Sequence, residues 1–430
     1  MFLLYDIGLF LAMPVLLLVF FFRGLRRGRL RQGLRERCGF YNAARLAVLR
    51  GRRVIWVHAV SVGETRAAVP LLKALRQTYP GAALVLTTVT ETGQATAQKI
   101  PEVDLCLYFP FDLSWIVERA LLQIDPDMIL IVETEIWPNL VRLARDRNIP
   151  VILVNGRLSD RSFPRYMMGR PVVRLIMEQF AFFCMQTAQD GRRIGLIGAP
   201  KERVTVTGNL KFDMAVEAIG EGERQQFQRE FRLPAGVPLW VCGSTHEGEE
   251  EAILRIFARL LESWPQLILV LVPRHPDRCR GVAEMIRANG FSFRLRSDLA
   301  RSEALLGSGE ILLTDTMGDM VKLYSLADIV FVGGSLTPVG GHNVLEASSV
   351  RKPVLFGPHM NNFKEIARLL LKAEGGMCVS GEGELGDAVD QLLRDRKLRE
   401  RLGNNGFRLL EENQGATEKT MAVLNRFLPA

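Results

Sequence analysis

The feature that most constrains this chain is an alternation that runs, breaks once and starts again. Short continuous apolar runs, Val54–Val57, 83–89, Leu105–Phe109, Met128–Val132, Val151–Val154, Phe182–Met185 and 204–207, are separated by stretches of helical periodicity such as Thr65–Tyr79. An apolar run without polar alternation is a strand buried on both faces, and helices between such strands imply a parallel sheet covered on each side. Near Asp213–Gly236 the pattern gives way to a charged stretch ending in Leu233-Pro234-Ala235-Gly236, then resumes with strands at Leu239–Cys242, 267–272, 311–314, Ile329–Val332 and 353–356. Helices are expected at 247–262, 276–289, 317–326, 343–350, 362–373 and 417–427. At 430 residues the chain exceeds one ordinary core, so two doubly wound domains are predicted, 39–212 and 237–416, with a linker at 213–236 and a closing helix at 417–430.

The first 38 residues stand apart. Met1–Phe22 is apolar except for Asp6 and is followed by Arg23, Arg26, Arg27, Arg29, Arg31, Arg35 and Arg37. A helix of 22 residues rises roughly 33 Å, enough for a bilayer core of about 30 Å. Positive charge follows the apolar run, the reverse of a secretory signal, so an uncleaved anchor with the body on the cytoplasmic side is predicted. Asp6 then sits at an interface, or the stretch lies shallowly. The alternative is a buried hairpin or core helix. Residues 1–53 hold eleven arginines against Asp6 and Glu36, a balance of +9 in a chain of net +8, so the remainder is −1. The basic excess belongs to the membrane-proximal end, where it attracts anionic lipids; the body carries no field for nucleic acid.

Six scattered cysteines without a C-x-x-C pair argue against a zinc site or disulfide framework and suit a reducing compartment. The chemistry-bearing residues follow strands, where doubly wound sheets bind ligands. All five histidines, His58, His246, His275, His342 and His359, fall there. In His58-Ala59-Val60-Ser61-Val62-Gly63-Glu64-Thr65, Glu64 reads either as a first-turn capping residue or as a general base. Glu133-Thr134-Glu135 directly follows a strand; it can orient an acceptor hydroxyl, bind a cation or open a helix. Arg157 and Lys211 bring positive charge after further strands, toward a phosphate or a sugar carboxylate, or into a surface ion pair. In the second half come Ser244–Glu250, Pro273-Arg274-His275-Pro276, Met317-Gly318-Asp319 and Gly333-Gly334-Ser335-Leu336-Thr337-Pro338-Val339-Gly340-Gly341-His342-Asn343-Val344-Leu345-Glu346. The two Gly-Gly pairs are expected to leave amides free for a phosphate, with Glu346 near ribose hydroxyls. There is no G-x-x-x-x-G-K-[ST] and no G-x-G-x-x-G after the first strand, which weighs against P-loop hydrolysis and nicotinamide chemistry. His246-Glu247 lacks a second histidine four residues on, and Asp125-Pro126-Asp127 precedes its strand and reads as a turn; no metal site is predicted.

Taken in order, His58–Thr65, Glu133–Asn139, Val206–Asp213, Ser244–Glu250, Pro273–Pro276 and Gly333–Glu346 resemble the Kdo transferase family, whose members add 3-deoxy-D-manno-octulosonic acid (Kdo) from CMP-Kdo to a lipid A precursor (lipid IVA). The likeness runs from the N-terminal anchor through the closing helix. It implies a GT-B glycosyltransferase, two Rossmann-like domains facing across a cleft, that inverts at the anomeric carbon without a metal or other cofactor and works at the bacterial inner membrane. It implies Glu64 as general base and Glu133 and Lys211 as transition-state stabilisers. Pro273 and Arg274, Met317, Gly318 and Asp319, and Asn343, Val344, Leu345 and Glu346 match the CMP-binding segments. The residues by themselves also accommodate an anchored GT-B enzyme using a UDP-sugar, a sugar-nucleotide epimerase or a nucleotide-binding membrane protein without activity.

Overall fold

The computed structural model describes residue 2 and residues 5–11, 33–214, 219–301 and 303–428. Most of the expected anchor lies outside these residues, and among those described no helix is long and apolar enough to cross a membrane. The chain divides into two compact units, Met1–Met214 with Asn413–Ala430, and Ala215–Glu412.

The first unit is built on a seven-stranded parallel sheet. Its strands are β1 (Val54–His58), β2 (Ala83–Thr88), β3 (Leu105–Tyr108), β4 (Met128–Val132), β5 (Val151–Gly156), β6 (Phe182–Met185) and β7 (Val204–Val206), in the order β3-β2-β1-β4-β5-β6-β7. The runs are apolar throughout because both faces are covered. Val54 and Trp56 enter one core with Val85, Ile129 and Leu153, while Ile55 and Val57 enter the other with Leu84, Leu130 and Ile152. The helix expected over Thr65–Tyr79 is two helices, Val62–Ala67 and Val69–Thr78. Pro70, which has no N–H to donate, opens the second rather than continuing the first.

The second unit repeats the plan with β8 (Leu239–Thr245), β9 (Ile268–Pro273), β10 (Phe293–Leu295), β11 (Ile311–Leu313), β12 (Ile329–Val332), β13 (Val354–Phe356) and β14 (Gly376–Cys378), in the order β10-β11-β9-β8-β12-β13-β14. The two outer strands, β10 and β14, have three residues each and escape a pattern search that needs four or more. The stretch expected to be a linker, 213–236, is largely folded. Glu221–Glu230 is a helix of the second unit, with Glu230 paired to Arg296 and, at 3.4 Å, to Lys322, and Phe231 fully buried beside it. Its polar composition hid partners that lie 66 and 92 residues further along the chain.

After the second unit the chain returns to the first. The helix Ala416–Leu424 buries Ala416, Met421, Val423 and Leu424 against the core that holds Ile55 and Val57. Asp213 accepts hydrogen bonds from the amides of Gly415 (2.8 Å) and Thr417 (2.5 Å), and the Tyr79 hydroxyl donates to Asn425 Oδ1 (2.6 Å). At the other terminus, Asp6 accepts from the Ser114 amide (3.1 Å) and Asn139 Nδ2 (2.7 Å), and the Tyr5 hydroxyl donates to Asp112 (3.1 Å).

Candidate active site

In a doubly wound sheet the chain first builds outward to one side of its opening strand and then crosses to the other, and the loops leaving the two strands at that reversal diverge to form a crevice. In the first sheet the reversal falls between β1 and β4, and in the second between β8 and β12. Glu64 and Glu133 follow the two strands of the first reversal, Ser244–Glu250 and Gly333–Glu346 leave those of the second, and the remaining motifs leave other strands of the same sheets.

After β1, Ser61 caps the helix Val62–Ala67, and Glu64 completes the turn: its Oε2 accepts from the Val60 amide (2.5 Å) and its Oε1 from the Ser61 hydroxyl (3.0 Å). The capping reading of Glu64 thus describes these contacts. Burial, then the charges of Glu133 and Glu135, raise its pKa from 4.5 to about 7 against the opposing pull of those two hydrogen bonds. A carboxyl group titrating near neutrality is matched to general-base work. Across the reversal, Glu133 follows β4 with φ 61, a left-handed conformation costly for a non-glycine residue. Its carboxylate lies 3.7 Å from Lys211 Nζ and 3.5 Å from Arg157 Nε. Lys211 stands on the 3-10 turn Leu210–Asp213, held by Asn209 Oδ1 and by Asn155 Oδ1, which accepts the Leu210 amide (3.0 Å). Asn155, at the end of β5, is again left-handed (φ 54). Burial, then Glu133, raises the pKa of Glu135 as well. The first unit thus gathers Glu64, Glu133, Glu135, Arg157 and Lys211 at one sheet edge.

His58 does not join them. It is the last residue of β1, fully buried, stacked on Phe109 (3.8 Å between ring centres) with its Nδ1 3.0 Å from the Thr87 hydroxyl. Burial lowers its pKa to about 3, so it is a neutral core residue. Sequence position alone placed it with the other histidines.

In the second unit the segments after β11, β9, β8 and β12 stand side by side along the carboxyl edge. Pro273 is the buried end of β9 and Arg274 follows it, half-buried. After β11, Met317 is exposed, Gly318 has φ 99 and Asp319 is engaged by Arg296 (3.1 Å), Lys322 (3.6 Å) and the Thr316 hydroxyl (3.0 Å). After β12, Asn343 accepts the Leu345 amide (3.1 Å) and donates to Glu346 (3.2 Å), at the start of a helix of only five residues, Leu345–Ser349.

Three of the four Gly-Gly amides, those of Gly333, Gly334 and Gly341, are engaged within the unit and not free as expected. Glu249, buried at 1% exposure, accepts from Gly334 (2.7 Å), Ser335 (3.0 Å), Leu336 (2.9 Å) and His246 (3.0 Å). Gly333 donates to the Gly243 carbonyl and Gly341 to that of Gly334. A carboxylate from within the domain fills the anion nest that the glycines build. The signal was in Ser244–Glu250, but nothing local tied Glu249 to residues 85 positions away. A cavity of about 460 Å³ opens at the opposite, amino-terminal edge of this sheet, beside Leu239 and Asp328. It is remote from every motif.

Residues 251–409 match the family model described as glycosyl transferases group 1, and residues 32–214 match that of 3-deoxy-D-manno-octulosonic-acid transferase. Among solved structures, UDP-GlcNAc 2-epimerase from Neisseria meningitidis, bound to UDP-GlcNAc, is similar at TM-score 0.56 and 15% identity over 87% of this chain and 100% of that one. A glycosyltransferase from Rickettsia africae is similar at TM-score 0.54 and 13% identity over 88% and 99%. These distant structures share the fold; together with the family models, the fold and the charged sheet edge define a glycosyltransferase of two Rossmann-like units, the GT-B type. Over 426 residues the chain is 36% identical to the 3-deoxy-D-manno-octulosonic acid transferase of Haemophilus influenzae, covering 99% of this chain and 98% of the relative. The Bordetella pertussis transferase of the same name is 32% identical over 87% of each. The chain belongs to the 3-deoxy-D-manno-octulosonic acid transferase family.

Proposed function

We propose that the protein transfers Kdo from CMP-Kdo to the lipid A precursor lipid IVA with inversion, Glu64 acting as general base. The observation that carries this reading is a carboxyl group with a pKa of about 7 at the β1–β4 reversal, coupled to a glutamate that two cations flank. An acceptor hydroxyl loses its proton to Glu64 as its oxygen attacks the anomeric carbon, and the bond from that carbon to the phosphate oxygen breaks, releasing CMP. Positive charge builds on the sugar during this step and negative charge on the phosphate. Glu133 suits the former and Lys211 the latter. Pro273, Arg274, Met317, Gly318, Asp319 and Asn343–Glu346 hold the nucleotide, with Arg274 as its phosphate partner. Residues 1–38 anchor the body to the cytoplasmic face of the bacterial inner membrane, where the acceptor resides and where their arginines meet anionic lipid.

The test is incubation of the purified protein with CMP-Kdo and tetraacylated lipid A precursor, followed by mass measurement of the product. One Kdo mass or a multiple of it is expected. Glu64→Ala is expected to abolish transfer while retaining CMP binding; wild-type turnover by that variant would remove Glu64 as the base. Retention of UDP in place of CMP would move the chain to a UDP-sugar donor.

A further inference from the structure

Between β8 and β12, where the second sheet reverses, two histidines meet. His246 follows β8 directly, and His342 lies ten residues past the end of β12. Their Nε2 atoms are 2.8 Å apart and their rings nearly parallel, at 5°. Both are half-buried. The pair is built into the backbone on which it rests. Glu249 holds the His246 amide and the Gly334–Leu336 turn together. Gly334, at φ +64, leaves room for the rings: a Cβ there would lie 2.9 Å from His342 and 3.2 Å from His246. His275, after the neighbouring β9, stands edge-on to His246 at 6.2 Å.

Two imidazole nitrogens at 2.8 Å share one hydrogen, since two lone pairs or two N–H groups facing each other would repel. The pair can therefore be neutral or carry a single positive charge, and a second charge is excluded. The groups around it set the balance. Burial lowers the pKa of His246 and Glu249 raises it, with Arg278, His275 and Arg274 lowering it again. Glu250 is occupied by Arg278 at 2.7 Å, and Glu346 lies four residues beyond His342. Arg278 and Arg274 set positive charge against the protonated pair, and an arriving anion offsets that charge and favours the protonated form.

We propose that the His246–His342 pair is a subsite for the nucleotide's phosphate that takes up one proton from solvent as the anion seats. The proton lands on the Nδ1 of whichever ring donates the shared hydrogen, and the resulting imidazolium meets the charge that grows on the departing phosphate. This rests on the reading that the second unit holds a cytidine monophosphate.

Calorimetric titration of the full-length protein at pH 7.5, in buffers of different ionisation enthalpy, counts the protons. The ligand is the 5′-phosphate methyl ester of cytidine, a diester with no proton to exchange near neutrality, and cytidine is the phosphate-free control. Uptake of at least about half a proton per ester, and none with cytidine, is expected. His246→Asn and His342→Asn are expected to abolish uptake and weaken ester binding at least tenfold with cytidine binding unchanged, while His275→Gln keeps both. Ester binding by the wild type without proton uptake overturns the inference alone, and that result needs no variant to fold. Uptake and affinity retained in both asparagine variants would overturn it equally. If neither CMP nor the ester binds, the donor reading falls and takes the inference with it.

Discussion

Replacing Glu64 with glutamine is expected to make the protein more stable and far less active, with a stability gain that builds between about pH 4.5 and 7 and is complete above neutrality. The folded-state pKa of about 7 lies above the ordinary 4.5 because burial opposes the charge. Between those two values the unfolded chain gives up the proton while the folded chain keeps it. Stability therefore falls as pH rises from about 4.5 to about 7 and is flat beyond. The rise corresponds to roughly 3 kcal/mol at about 1.4 kcal/mol per pH unit, an order-of-magnitude figure. Glutamine resembles the protonated form in shape and can still accept from the Val60 amide, so it avoids this penalty. At pH 8 the E64Q protein is expected to resist urea or heat better than wild type by up to about 3 kcal/mol, and at pH 5 by no more than about 1 kcal/mol. Transfer activity should drop by roughly 10²- to 10⁴-fold, the usual contribution of a general base. In the wild type, kcat/KM should fall about tenfold for each pH unit below 7. Equal stability differences at pH 5 and pH 8 would refute the argument, since the penalty would not then come from the charge on Glu64.

Glu133→Gln removes the second-largest influence raising the Glu64 pKa, so the acid limb of the activity profile should shift toward lower pH without reaching 4.5, because burial remains; an unmoved limb would show that the two carboxyl groups are not coupled. Glu249→Ala leaves four amides without their acceptor, and hydrogen exchange at Gly334, Ser335 and Leu336 should accelerate with a loss of about 3–5 kcal/mol in stability; unchanged protection of these amides would contradict the nest. Asp6→Ala removes the acceptor of the Ser114 amide and one of the two acceptors of Asn139 Nδ2, and limited proteolysis near residues 5–11 should become faster; an unchanged rate would show that this contact does not hold the segment to the first unit.

Much of the fold was legible because a strand buried on both faces leaves an unbroken apolar run. Met128–Val132, Phe182–Met185 and Ile329–Val332 have the bounds the pattern predicts. Placing the motif loops after strands was enough to locate Glu64, Glu133 and Lys211 at one sheet edge. What escaped was long-range. The helix Glu221–Glu230 has a polar sequence whose partners lie across the second unit, and Glu249 is one acid among several until the fold brings Gly334–Leu336 to it. His58 failed for a different reason: a strand end can turn its side chain inward, and no local feature separates a histidine wedged against Phe109 from one facing solvent.

The return of the chain to its first unit gives the order of residues an unusual meaning. The second unit is a single uninterrupted insertion, and the residues flanking it are tied together where Asp213 grips the amides of Gly415 and Thr417. A short bridge from 214 to 413 could therefore replace the whole insertion and leave the first core closed. A stop codon just after 412 would do the opposite: it would spare every residue of the second unit and strip the first of Met421, Val423, Leu424 and Leu428.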